Sequence, residues 1–120
     1  MRVIENPVLL GFHPDPSFLQ VGSDYHLTTS TFEWYPGFHI YHSTNLGAWR
    51  LVATPLNRPA LLDMRGNPNS GGVWAPCPYY ADGLFWLIYT DVKRLGGAFK
   101  DTHKYITTCP RINGEWSDPL

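Results

Sequence analysis

Asp15 stands between two prolines in the run Gly11-Phe12-His13-Pro14-Asp15-Pro16-Ser17. Each proline fixes its own φ, and Pro16 disfavours the helical region at the residue before it, which predicts β or polyproline geometry at Asp15. Neither proline has an N–H, so the run is a stiff mount for one carboxylate. Such a mount suits acid–base chemistry, where the reacting group must be held within a fraction of an ångström. The same run also reads as a simple turn, since Asp and Pro are ordinary turn residues. Two aromatic residues add to the first reading: Phe32, in Thr31-Phe32-Glu33, and Trp74, in Val73-Trp74-Ala75-Pro76. An acid beside an indole plate is a way to hold a sugar, with the ring face stacked and the carboxylate meeting hydroxyls or water. Core packing is the other reading of both aromatics.

The remaining polar residues carry less. Glu33 reads as structural. His39 and His42 are three apart on a strand, so they face opposite sides and do not share a metal. His13 either lines the site or fills space. Asp63 and Asp91 follow apolar runs and read as turn or cap residues. The sequence has no metal-spaced Cys/His cluster, no phosphate-binding loop and no Gly-x-Ser-x-Gly elbow, so no metal and no cofactor are expected.

The elements that must position these residues are short strands. Eleven Gly and eleven Pro punctuate a chain that is 43% hydrophobic and 15% aromatic, a mix that favours strands and turns over helices. Strands are predicted at 17–21, 25–31, 38–43, 49–54, 72–81, 84–90, 103–109 and 115–120. The segment 84–90 is apolar on both faces and reads as buried. Residues 55–72, rich in Pro, Gly and Asn, read as a long functional loop, and 93–100 as a Gly-containing excursion. Sliding the chain by 60 positions lays Pro16 on Pro76, Tyr25 on Phe85 and Leu27 on Leu87. A longer insertion then brings Ile40 to Ile106 and Trp49 to Trp116. Four strands per unit at a period near 60 is the pattern of a β-propeller blade. A single eight-stranded sandwich is the alternative. On the propeller reading, Asp15 and Trp74-Ala75-Pro76 open the innermost strands of two blades and face one another across the axis. Two blades are too few to bury their faces, so the chain either oligomerises or is the front of a longer protein.

The net charge of −1, from nine basic and ten acidic residues, gives no footprint for nucleic acid or an anionic membrane. No apolar stretch is long enough to span a bilayer, and the N-terminus does not read as a leader. Cys77 and Cys109 read as free thiols, which together with the missing leader predicts a cytoplasmic protein.

The sequence resembles the N-terminal part of a glycoside hydrolase family 43 enzyme of the β-xylosidase and α-L-arabinofuranosidase kind. The resemblance is carried by Asn6-Pro7-Val8-Leu9, Gly11 to Ser17, Thr29-Ser30-Thr31-Phe32-Glu33-Trp34, Pro36-Gly37, Leu56-Asn57-Arg58-Pro59, Ser70 to Pro76 and Gly114-Glu115-Trp116-Ser117-Asp118-Pro119. Leu10 stands where relatives often have proline. The resemblance implies the first two blades of a five-bladed propeller, truncated, with blade one at about 11–56 and blade two at about 72–120. It implies inverting hydrolysis of xylan-derived oligosaccharides or arabinosides, with Asp15 as general base and Phe32 and Trp74 lining the sugar subsite. The glutamate general acid and the aspartate that tunes it are expected beyond residue 120. A full-length form is compatible with a homo-oligomer. A sugar-binding module without chemistry, or an inactive fragment, is the alternative for the chain by itself.

Overall fold

The structure is a computed structural model and describes residues 3–97 and 102–120. It is all-β: two antiparallel sheets and, among the described residues, no helix. The first sheet runs β1 (Ser17–Val21), β2 (Asp24–Ser30), β3 (Phe38–Ser43) and β4 (Arg50–Ala53), paired in chain order. The second runs β5 (Gly72–Ala81), β6 (Leu84–Val92) and β7 (Thr102–Cys109), again in chain order.

The 60-residue repeat survives in the pairing itself. Ser17 faces Thr28 and Val21 faces Asp24 in the first hairpin. Cys77 faces Ile88 and Ala81 faces Leu84 in the second, each pair displaced by the same offset. The second hairpin turns through Asp82 (φ +53°) and Gly83 (φ +76°), two left-handed residues of the kind that match the twist of paired strands. The two tryptophans of the repeat also share a role. Trp49 donates its indole N–H to the Leu46 carbonyl at 2.8 Å, and Trp116 donates to the Ile112 carbonyl at 3.2 Å. Each indole closes the turn that precedes it.

Two expectations need correction. Residues 115–120 do not form a fourth strand in the second sheet, which has three. The segment does run beside β7: Ile106 and Leu120 exchange backbone hydrogen bonds at 3.0 Å, and Ser117 N–H reaches the Thr108 carbonyl at 2.8 Å. The Thr108 carbonyl takes the Ser117 N–H, one residue out of step with the Ile106–Leu120 pair, so the ladder is irregular. The segment 84–90 is buried on one face only. Phe85, Leu87 and Tyr89 point inward, whereas Ile88 is 45% exposed. Of the 93–100 excursion, residues 93–97 carry no strand and 98–100 lie outside the described residues.

The core lies between the sheets. Phe38 and Ile40 from β3, Val73 from β5, and Phe85, Leu87 and Tyr89 from β6 meet Cys109 and Trp116. The long 55–72 loop joins them through Leu56, Leu61 and Leu62. β5 packs on both β1 and β2, and a buried bond from the Thr28 hydroxyl to the Pro76 carbonyl at 3.1 Å ties the sheets together. The start of β5 is therefore held against the starts and ends of β1 and β2, where the candidate residues sit.

His26 is a polar member of this interior, 3% exposed, with its ring edge-on to Phe85 at 5.5 Å. Burial lowers its pKa first, and neighbouring His42 lowers it further, while Asp24 opposes both. Asp24 is itself bonded to His42 at 2.6 Å. An unfolded histidine titrates near ~6.5. As the pH falls, the unfolded chain therefore takes up this proton before the folded chain does. The stabilisation is complete above ~6.5 and is lost progressively below it. His39, also lowered by burial and then by His13, adds to the same slope. The urea midpoint of the chain is expected to fall between pH 7 and pH 5, and His26→Phe to flatten that slope. An unchanged slope in His26→Phe would place the acid sensitivity elsewhere.

Candidate active site

The Asp15 corner is not extended. Its φ is +51°, in the left-handed region that a non-glycine residue occupies only at a cost of ~1–3 kcal/mol. The restriction imposed by Pro16 is outweighed by hydrogen bonds from two other segments. Ser30, the last residue of β2, donates its N–H to the Pro14 carbonyl at 3.0 Å and its hydroxyl to Asp15 Oδ2 at 3.2 Å. The Ala75 N–H, sixty residues further along the chain, donates to the same Oδ2 at 3.0 Å. Ala75 has φ +48° and also precedes a proline, so the two repeats share the same backbone corner. The corner in the second repeat offers an amide to the carboxylate of the first. Asp15 and the Trp74-Ala75-Pro76 segment are thus direct neighbours and do not face one another across an axis.

Phe32 and Trp74 complete the arrangement. Thr31 N–H bonds the Gly37 carbonyl at 2.8 Å, and Trp34 N–H bonds the Thr31 carbonyl at 3.0 Å, which curls 31–37 into a tight loop. Phe32 sits in it at φ +53°. Its carbonyl accepts the Val73 N–H at 3.1 Å, bridging the loop to β5. This close approach requires glycine at position 72, whose φ is +79°; a Cβ there would lie 2.2 Å from the Phe32 oxygen. The bridge brings the Phe32 and Trp74 rings to 6.3 Å, tilted by 55°. The Trp74 indole N–H is held by the Ser70 carbonyl at 2.9 Å. Phe12 packs edge-on to Phe32 at 5.4 Å and is 60% exposed.

Asp15, Phe32 and Trp74 therefore gather on one open surface. Asp15 is exposed, and both aromatic residues are half-buried. Two clefts lie elsewhere. One of about 460 Å³ is walled by Pro55, Arg58, Leu61 and Trp116, and another of about 330 Å³ by Asp24, His26, His42 and Phe85. The Asp15 surface is shaped by two sheets and is open to solvent.

The other polar candidates take structural positions. His13 bonds the Leu10 carbonyl at 3.0 Å and packs edge-on to Tyr41, so it fills space behind the corner. Asp63 accepts the Arg65 guanidinium at 2.7 Å and the Arg65 N–H at 3.0 Å, which hold its carboxyl far below the usual range. Asp91 is buried and paired with Lys93 at 3.2 Å, and the Lys93 ammonium also reaches the Asp63 carbonyl. No group of three or more metal-ligating side chains occurs among the described residues. Sequence reasoning missed Ser30, the Ala75 amide and Phe12 as parts of the site. The repeat could have found the amide, because the 60-residue offset places residue 75 on residue 15.

The site is thus one exposed carboxylate beside an aromatic pair, on an all-β scaffold. The comparison with known proteins is more specific. The model of glycosyl hydrolases family 43 matches residues 4–120, and the chain belongs to that family. It is 62% identical over 117 residues to a β-xylosidase of Bacillus subtilis, covering 98% of this chain and 22% of that protein. It is 60% identical over 120 residues to a xylosidase/arabinosidase of Humicola insolens, covering all of this chain and 22% of that protein. The crystal structure of a xylan β-1,4-xylosidase from Bacillus halodurans superposes with a TM-score of 0.94 at 60% identity, over 98% of this chain and 23% of that one. The chain spans about a fifth of the length of the curated relatives it matches, 22% in each case.

The glycine at 72 gives a direct check on how the wall is assembled. Gly72→Ala is expected to destabilise the chain by at least ~1–3 kcal/mol from backbone strain alone, with a further cost for displacing Phe32. Tryptophan emission should shift as Trp74 loses its neighbour. A variant with an unaltered denaturation midpoint and emission spectrum would show that the Phe32–Val73 bridge does not hold the wall.

Proposed function

We propose that this chain is the base-bearing part of an inverting glycosidase that acts on β-xylosides and related arabinosides. The observation that carries the reading is the Asp15 carboxylate. It is exposed to water, bonded by Ser30 and Ala75 at one oxygen, and set beside the Phe32–Trp74 pair. The names of the relatives, β-xylosidase and xylosidase/arabinosidase, supply the substrate class. On this reading the two sheets are the first two blades, about 11–56 and 72–120, of a five-bladed propeller whose central funnel holds the terminal sugar.

The chemistry follows from the residue types. Phe32 and Trp74 offer apolar faces to the sugar ring and exclude water from one side. Asp15, ionised, accepts a proton from a water molecule on the face of the anomeric carbon opposite the leaving group. The water oxygen bonds to that carbon as the bond to the leaving oxygen breaks, and the configuration inverts. The leaving oxygen takes its proton from a carboxylic acid supplied by the rest of the protein. The two carboxyl groups of an inverting pair stand ~6.5–9.5 Å apart, which leaves room for the water. Two hydrogen bonds to Oδ2 hold the carboxylate in place, as a base requires.

A chimera tests this reading, with the present chain replacing the matching 117 residues of the Bacillus subtilis β-xylosidase. The chimera is expected to release nitrophenol from nitrophenyl β-xyloside and to yield α-xylose first by proton NMR. Asp15→Asn keeps the shape and removes the base, so kcat should fall by ~10²–10⁴-fold with little change in sugar affinity. Full activity in Asp15→Asn, or initial release of β-xylose, would contradict the proposal.

A further inference from the structure

Asp15 Oδ2 receives two hydrogen bonds, and none of the described residues donates to Oδ1. The asymmetry has a structural origin. Ser30 is 0% exposed, sits at the end of β2 and is paired with Phe38 on β3, so its side chain is fixed by packing on every side. Its hydroxyl has one proton and two acceptors within reach: Asp15 Oδ2 at 3.2 Å and the Pro14 carbonyl at 3.5 Å. The charged acceptor is both closer and stronger. Asp15 itself is exposed, and a lone carboxylate in water would rotate freely about its side-chain torsions.

The second repeat separates an aiming role from a role in holding the backbone. Ala75 occupies the position of Asp15, with the same left-handed φ before a proline, and Thr90 occupies that of Ser30. The corner at Ala75 forms with no carboxylate at all. A carboxylate–hydroxyl pair is thus no requirement of the corner, and its presence in the first repeat serves the carboxylate.

We propose that Ser30 is the positioning residue of the base: with the Ala75 amide it occupies Oδ2 and turns Oδ1 alone toward the attacking water. This rests on the assignment of Asp15 as base. Ser30 touches neither sugar nor water and acts only through Asp15. Its loss therefore lowers the rate of the chemical step without weakening binding by Phe32 and Trp74.

The test uses the active chimera and a double-mutant cycle. Ser30→Ala is expected to lower kcat by roughly 10-fold to 100-fold, the scale on which misplacing a reacting group acts, with KM unchanged within about twofold. Ser30→Cys keeps the shape at a slightly larger volume but offers only a weak donor. It should fall with Ser30→Ala and carries the test if the alanine variant folds poorly. Thr29→Val, which removes a neighbouring buried hydroxyl that has no hydrogen-bond partner among the described residues, should leave both parameters unchanged. In the Asp15→Asn background, Ser30→Ala should cause no further loss. Retention of kcat within about twofold in Ser30→Ala and Ser30→Cys would overturn the proposal while leaving Asp15 as base. Equal multiplicative losses with and without Asp15 would also overturn it, because Ser30 would then act on the fold. Full activity in Asp15→Asn would remove both readings together.

Discussion

One hydrogen bond spans sixty residues and joins the two halves of this chain at the point where chemistry is possible: the Ala75 amide to the Asp15 carboxylate. Everything around it serves that contact. The Thr28 hydroxyl anchors the Pro76 carbonyl one residue away. The Phe32 carbonyl anchors Val73 two residues to the other side. β5 is thereby pinned at three points: to β2, to the loop that follows β2, and to the corner that precedes β1. Left-handed backbone at Asp15, Phe32 and Ala75 costs conformational energy at each site. The packing of Phe38, Ile40, Val73, Leu87 and Tyr89 supplies the stability that tolerates it.

The repeat explains how such a site arises from a simple plan. Two units carry the same hairpin register and the same corner before a proline. In one the corner holds an acid, in the other a methyl group. The second corner's amide is then free to serve the first corner's carboxylate. A symmetric pair of acids here would place like charges together and raise the pKa of one of them. Asymmetry at positions 15 and 75 leaves a single acid with two donors.

Much of this was legible in the sequence, for physical reasons. The strands at 17–21, 38–43 and 72–81 were readable to the residue, because Gly, Pro and Asp turns bound β-branched and aromatic runs sharply. The 60-residue offset was visible as matched Pro, aromatic and Leu positions, and it reappears as matched strand register. The final segment differs from the expected strand because composition does not report the one-residue slip at Ser117 that makes its ladder irregular. Burial of 84–90 was overestimated because Trp86 and Ile88 are apolar yet lie on the outer face. The backbone at Asp15 was read as extended from a local rule, whereas the deciding hydrogen bonds come from residues fifteen and sixty positions away. Long-range donors of that kind leave no mark in local spacing. For the same reason Ser30 passed unnoticed as one more small residue in a strand.

The contact between Asp15 and Ala75 can be observed directly in the ¹⁵N-labelled chain. An amide proton that donates to a carboxylate moves when that carboxylate is protonated. The account predicts that the Ala75 amide proton shifts with pH as Asp15 titrates, and that this response disappears in Asp15→Asn. An Ala75 amide that ignores pH in the native chain, or that titrates equally well in Asp15→Asn, would contradict it.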